Sequence, residues 1–173
     1  MIGLIQRVNH ASVAVGDETI AKIGYGLLAF IAVEKHDTEN EVDKLLKRML
    51  GYRILTDKAG KMNWGLKDTR CELLLVPQFT LAAMHTQKKG LRPSFDKAAL
   101  PEHGEQLFDY MYEQAVKAHA HVQKGKFGAD MQVTLTNDGP ATFVLQASPE
   151  EEDGRSVAAR AKIKIKTKGR LRK

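Results

Sequence analysis

Gln78, Phe79 and Thr80 are the first residues in this chain equipped to do chemistry. They come after Pro77 and the apolar run Leu73-Leu74-Leu75-Val76, so a buried strand must end at them and present them on a rim, where scaffolds usually carry their chemistry. Gln78 can orient a carbonyl or an amine, because its amide both donates and accepts. Thr80 is a candidate nucleophile, but activating it needs an adjacent base, and the segment holds neither His nor carboxylate. The N–H groups of Phe79 and Thr80, released at a strand end, suit an oxyanion pocket. The same residues also fit a strand closing in a turn, with Thr80 capping the next segment.

A second group, Asn137-Asp138-Gly139-Pro140-Ala141-Thr142, comes after the alternating run Met131–Thr136. Asn-Asp-Gly between alternating runs is a hairpin signal. Pro140 adds another reading, since X–Pro bonds take the cis form far more readily than others. A cis Gly139-Pro140 at a loop tip would aim carbonyl oxygens outward as a fixed wall. Arg7 lies on an alternating strand where its charge needs a partner; it is solvated, paired, or braces a loop through carbonyl oxygens with its planar fork. Lys88, Lys89 and Arg92 precede Pro93-Ser94-Phe95 in a loop that either touches phosphates or is a surface turn. His119 and His121, two apart near a helix end, point away from each other with no further His or Cys nearby, so no metal site is expected. Nucleophile elbow, Walker loop, dinucleotide fingerprint and zinc-protease motifs are all missing from the sequence.

The elements that must position these groups read mainly as strands. Ile2–Val8, Ala11–Val15 and Thr19–Ile23 alternate, with a turn at Gly16-Asp17-Glu18. Leu27–Val33 is a buried run, and Tyr52–Thr56 and Cys71–Val76 are further strands around the turn Asp57-Lys58-Ala59-Gly60. Thr38 and Glu41 have capping-box spacing ahead of a helix over Glu39–Leu50, whose apolar face is Val42, Leu45, Leu46 and Met49 and which Gly51 ends. A second helix runs from Pro101 to about His119, with Leu107, Tyr110, Met111, Ala115 and Ala118 inward. Met131–Thr136 and Ala141–Ala147 are the last two strands. Single helices among many strands point to an α+β domain with a barrel-like, mainly antiparallel sheet and two main helices.

The 173 residues, 43% apolar and 28% charged, suit one globular domain with an appendage. The net charge of +6 is uneven. Residues 150–173 hold nine Lys/Arg against four acids, leaving 18 basic and 17 acidic residues for the rest. A basic block of this kind is a solvated tail, a polyanion-binding arm, or both. The expected organisation is a folded domain over 1–149 and a flexible basic tail over 150–173. The single cysteine, Cys71, permits no internal disulfide and fits a reducing compartment. No apolar run reaches membrane-spanning length, and the first residues read as a strand rather than a signal peptide, so a cytoplasmic protein is expected.

Taken jointly, Met1–Val8, Gly51-Tyr52-Arg53, Gly60-Lys61-Met62-Asn63, Gln78-Phe79-Thr80-Leu81-Ala82, Arg92-Pro93-Ser94-Phe95, Phe127, Ala129-Asp130-Met131-Gln132-Val133 and Asn137-Asp138-Gly139-Pro140 resemble the D-aminoacyl-tRNA deacylase family. The match keeps motif order and spacing over about residues 1–147. The resemblance implies a homodimeric fold built on a β-barrel that hydrolyses the ester joining a D-amino acid to the 3′ end of tRNA, without a cofactor, with glycyl esters mischarged on other tRNA as a second candidate substrate. It also implies that Gln78, Phe79 and Thr80 bind the aminoacyl group. A cis Gly139-Pro140 from the partner subunit would exclude L-amino acids, Arg7 would brace that loop, and Met131 and Pro77 would border the pocket. Catalysis is then assigned to main-chain amides and the tRNA's own 2′-hydroxyl, or alternatively to Thr80 as nucleophile. Two positions depart from the family pattern: Pro77 where Ser is usual, and Ala141 where Val is usual. Pro77 keeps open an alternative, a catalytically weakened deacylase-like module that binds tRNA or another nucleic acid.

Overall fold

The computed structural model describes residues 1–83 and 92–149. Its spine is β1 (Ile2–Val15), a single strand rather than the two expected. One edge of β1 serves two partners in turn. Its first half pairs antiparallel with β3 (Gly26–Ala32), from Ile2↔Ala32 to Val8↔Gly26. Its second half pairs antiparallel with β2 (Glu18–Ile23), from Ala11↔Ile23 to Val15↔Glu18. Asn9 and His10, both exposed, mark the change of partner without breaking the strand. β2 and β1 are joined by the expected turn, where Gly16 takes φ 57°.

β3 pairs in parallel with β6 (Glu72–Pro77), and β6 in parallel with β7 (Val122–Lys124). The sheet is therefore mixed, antiparallel around β1 and parallel around β6. It curls until its ends nearly meet: the Lys22 N–H on β2 donates to Gln123 Oε1 on β7 at 2.7 Å, and the Gly24 N–H donates to Glu72 Oε2 at 3.0 Å. The result is a nearly closed, barrel-like sheet. Gly26 makes this curvature possible, since a Cβ there would lie 1.9 Å from the Glu72 carbonyl oxygen.

The largest departure from expectation is β8 (Gln132–Gln146). Asn137–Thr142 does not turn a hairpin. The chain instead continues along the free edge of β1, from Ala14↔Gln132 to Ile2↔Gln146. Val8 pairs with Asn137 and Gln6 with Thr142, so Asp138–Ala141 bulge out opposite Arg7 alone. The local turn signal is overruled because β1 offers one uninterrupted edge that both alternating runs can pair with in the same direction.

Two helices cover the sheet. α1 (Glu39–Gly51) starts with the expected capping box, in which Asn40 N–H donates to Thr38 Oγ1 and Thr38 N–H donates to Glu41 Oε2 at 3.0 Å. Its buried face is Val42, Leu45, Leu46 and Met49, with Leu50. Gly51 is the last helical residue and Tyr52 the cap. α2 (Pro101–Ala118) buries Leu107, Phe108, Met111 and Ala115. Ala118 is exposed and Tyr110 half-buried, with Phe108 inside in their place. Of the strand expected over Tyr52–Thr56 only β4 (Leu55–Thr56) forms, paired with β5 (Met62–Trp64). The turn between them is tied by Asp57, which accepts from the N–H groups of Lys61 and Ala59 and from the Asn63 amide. These bonds, Lys61's foremost, hold its carboxyl below the ordinary value.

The main core lies between helices and sheet, built from Ile5, Leu27, Leu45, Met49, Leu73, Leu75, Phe108 and Met111. A second cluster, Val8, Val13, Ile23, Leu28, Leu74 and Val76, fills the inside of the curled sheet. The Met1 ammonium is buried and reaches Asp37 Oδ1 at 2.7 Å, Glu34 Oε2 at 3.0 Å and the Ala147 carbonyl at 2.7 Å. Burial pushes the Asp37 carboxyl up despite this cation. Among the described residues no helix is long and apolar enough to cross a membrane.

Candidate functional site

Pro77 is the last residue of β6, and the sheet opens at it for a reason of hydrogen-bond phase. On β6 the alternate residues Leu73 and Leu75 bond toward β7: the Leu73 N–H donates to the His121 carbonyl at 2.9 Å, and the Gly125 N–H to the Leu75 carbonyl at 2.8 Å. Pro77 is next in that phase and has no N–H to give, so the ladder stops. Gln78, in the other phase, still donates its N–H to the Ile31 carbonyl at 2.7 Å. The chain then tightens into a 3₁₀ turn over Phe79–Ala82.

A cavity of about 470 Å³ opens where β6 and the segment after β7 part. One wall is Val76, Pro77, Gln78 and Phe79. The other is Phe127, Gly128, Ala129, Asp130, Met131 and Val133, with Ala99 and Pro101 at the foot of α2 closing the end. The size suits a small ligand and the lining is mostly apolar. Gly125 lets the walls converge, since a Cβ there would fall 2.9 Å from Met131 Sδ and 3.5 Å from Pro77 Cδ.

The polar groups at the rim are few. The 3₁₀ turn's first bond runs from the Leu81 N–H to the Gln78 carbonyl at 3.2 Å. The N–H groups of Phe79 and Thr80 precede it, and among the described residues neither has an acceptor. Gln78 Nε2 donates to Thr80 Oγ1, which orients the amide and leaves Gln78 Oε1 free to accept. No described carboxylate or imidazole bonds Thr80. The exposed Phe79 ring stacks edge-on against Phe95 at 5.1 Å between centroids.

Gly139 and Pro140 do not line this cavity. They are exposed on the bulge of β8 and held from beneath by Arg7. Arg7, only 8% exposed, donates from Nη1 to the Ile54 carbonyl at 2.9 Å and to Thr56 Oγ1 at 3.1 Å. Its Nε lies 2.8 Å from Asp138 Oδ2, an ion pair in which the N–H is not aligned as a hydrogen bond. Asn137 closes the bulge by accepting the Ala141 N–H at 2.9 Å and donating to Thr142 Oγ1 at 2.8 Å. The described residues contain no cis peptide bond, so Gly139-Pro140 is trans, contrary to the cis expectation. Gly139 turns the chain instead by taking φ 115°, and its missing side chain admits Arg7 Nη2 within 2.6 Å of the Cβ position.

Of the basic loop, Arg92 is exposed and Lys88 and Lys89 lie outside the described residues. The His pair is divided: His119 Nε2 donates to the Cys71 carbonyl at 2.6 Å, while His121 is exposed. Sequence reasoning gave no role to Phe127, Gly128, Ala129 or Asp130. Gly128, at φ 70°, is the local signal of a chain reversal there, though nothing in the sequence says what that reversal faces.

The cleft at the end of β6 is mostly apolar and ligand-sized, with the N–H groups of Phe79 and Thr80 unpaired at its rim and no acid–base pair among the described residues there. The family described as D-Tyr-tRNA(Tyr) deacylase matches residues 4–146, and the chain belongs to it. It is 54% identical over 149 residues to a D-aminoacyl-tRNA deacylase of Herminiimonas arsenicoxydans, covering 86% of this chain and 99% of that one. A D-aminoacyl-tRNA deacylase of Hahella chejuensis is 55% identical over 146 residues, covering 84% and 99%. Among solved structures, one titled c-Myc DNA Unwinding Element Binding Protein superposes with a TM-score of 0.80 at 37% identity, covering 87% of this chain and 100% of that one.

Proposed function

We propose that this protein hydrolyses the ester of D-aminoacyl-tRNA, releasing the D-amino acid and free tRNA as a proofreading step. The reading is carried by the cavity at the end of β6, where two N–H groups unpaired among the described residues and the Gln78 amide meet an apolar pocket of amino-acid size. In this reading the aminoacyl group enters between Gln78-Phe79 and Met131. The N–H groups of Phe79 and Thr80 receive the carbonyl oxygen and hold the negative charge that develops on it. Thr80 accepts from Gln78 and has no base beside it among the described residues, which favours a positioning role over attack. The attacking oxygen is then activated by the substrate's vicinal 2′-hydroxyl.

The chiral filter is assigned to a second copy of the chain. Gly139 and Pro140 stand outside their own cavity, on an exposed bulge stiffened by Arg7, Asp138 and Asn137. A homodimer that places the partner subunit's Gly139 and Pro140 over the mouth would use that bulge as a wall against L side chains. Lys88, Lys89 and Arg92 are assigned to the tRNA phosphates. Residues 150–173 are assigned as a basic tail outside the catalytic domain of 1–149, and the protein is assigned to the cytoplasm.

The test is deacylation of D-Tyr-tRNA and L-Tyr-tRNA by the purified protein. Release from the D ester well above the buffer rate, with the L ester spared, is expected; buffer-level release for every D-aminoacyl ester would overturn the reading. Thr80→Ala retaining near-full rate would exclude a Thr nucleophile, while Gln78→Ala should lower the rate. A second reading, nucleic-acid binding without turnover, draws on the name of the structure at 37% identity and on the basic residues 150–173. RNA binding whose steep salt dependence disappears on removing those residues would support it.

A further inference from the structure

The folded body is nearly neutral, yet its charge is unevenly spread. Residues 44–70 hold eight Lys/Arg against two acids, while the rest of 1–149 holds ten against 15. Both acids are occupied by backbone: Asp57 ties the β4–β5 turn, and Asp68 Oδ2 accepts the Gly65 N–H at 2.9 Å. Lys47, Arg48, Arg53 and Lys67 are exposed, and none forms an ion pair with a described residue. A shallow groove at the C-terminal end of α1 concentrates this charge. It is lined by Lys44, Lys47, Arg48 and Gly51, and Lys67 Nζ comes within 3.8 Å of the Gly51 Cβ position. One or two cations would serve the negative end of the helix. Crowding more of them at three- and four-residue spacing repels, and a bound polyanion relieves that repulsion.

The groove's place in the fold says which polyanion. α1 starts beside the first turn of α2, where the Asp37 carbonyl lies 3.0 Å from His103 Nε2 and Pro101 closes the cavity. It ends 13 residues later, about 20 Å away at 1.5 Å per residue. There the chain passes the bulge of β8. Arg7 donates from Nη1 to the Ile54 carbonyl, next to Arg53, while its Nη2 lies against Gly139. The groove is therefore remote from its own cavity and shares an end of the subunit with Gly139 and Pro140. A dimer that sets this bulge over the partner subunit's cavity brings the groove there too.

We propose that the groove binds the phosphate backbone of the tRNA whose ester sits in the partner subunit's cavity, so that both subunits hold each substrate. This rests on the deacylase reading and its dimer, and adds to them the surface that takes the tRNA stem. A stem suits it, because closely spaced phosphates are held by Lys and Arg without base readout.

The experiment compares full-length D-Tyr-tRNA with the D-tyrosyl ester of adenosine, which has no phosphate, using wild type and the triple variant Lys47→Gln, Arg48→Gln, Lys67→Gln. The variant should raise KM for the tRNA about tenfold at low salt, flatten its salt dependence and leave kcat within about twofold. KM for the adenosine ester should not change. Lys47→Arg with Lys67→Arg should behave as wild type. In mixed dimers with one site slowed by Gln78→Ala, the Gln substitutions should raise KM only when carried by the slowed subunit, opposite the working site. Equal effects on both esters, no effect on either, or an effect only from the working subunit's own groove would overturn the proposal. Wild-type hydrolysis of the D ester would still leave the deacylase reading standing. Wild type inactive on every D ester would overturn both. Should the triple variant fail to fold, wild type alone decides: bound tRNA should protect Lys47 and Lys67 from acetylation, and unprotected lysines there would sink the proposal.

Discussion

Removing the Arg7 guanidinium should loosen the Gly139-Pro140 bulge and destabilise the fold together. Arg7→Met keeps a stem of similar length inside the protein and deletes the charge. Two hydrogen bonds are lost, to the buried Ile54 carbonyl and the half-buried Thr56 Oγ1, each worth about 1.5 kcal/mol for a charged donor. The Asp138 pair contributes less, under about 1 kcal/mol, because the Asp138 side chain is 33% exposed and rehydrates once released. The expected loss is about 3 kcal/mol, read as a lower urea midpoint at unchanged slope. Samples must be compared at one protein concentration, since dimer formation would shift the midpoint by mass action. A double-variant cycle with Asp138→Asn should return a coupling of about 1 kcal/mol. The functional counterpart is a reduced preference for D-Tyr-tRNA over L-Tyr-tRNA. A loss under about 1 kcal/mol with chiral preference intact would refute the claim that Arg7 holds the bulge.

Local geometry sets three further outcomes. Thr38→Ala should cost about 1 kcal/mol by removing the N-cap of α1. Burial pushes the Glu41 carboxyl up, yet the hydrogen bonds it accepts from the Thr38 hydroxyl, the Thr38 N–H and its own N–H, with Lys44 nearby, hold it below the ordinary 4.5. Its contribution is therefore present above pH 4.5 and lost as pH falls through its lowered value, so Glu41→Gln should flatten that limb of a stability-versus-pH curve. Gly125→Ala would place a Cβ 2.9 Å from Met131 Sδ and should push that side chain into the cavity. KM for the D-aminoacyl ester should rise several-fold at a stability loss of about 1 kcal/mol; unchanged KM would show that Met131 does not border the occupied pocket.

Features set by short-range spacing are legible in the sequence. The capping box at Thr38 and Glu41 and the buried face of α1 depend on residues three or four apart, so spacing alone reveals them. Pro77 at a strand end is legible because a residue without an N–H stops a ladder. The departures share one cause, a distant partner. The break expected between Val8 and Ala11 never forms, because β1 exchanges β3 for β2 along a continuous edge. Asn137–Pro140 carries a hairpin signal and becomes a bulge, because β1 runs past it on one side. The trans Gly139-Pro140 bond goes with a glycine φ that only the packed Arg7 makes intelligible.

The sequence by itself determined the family, the capping box of α1 and the identity of the rim residues Gln78, Phe79 and Thr80, all of which rest on short-range patterns. Only the tertiary structure decided that Phe127–Met131 faces them across a cavity. That wall lies far along the chain from Gln78, and it arrives there because β7 pairs with β6 in parallel and Pro77 ends the pairing. The fold also decided that Gly139 and Pro140 stand outside their own pocket. Hydrogen-bond register, not residue type, sets which walls meet, and register is a property of two strands together.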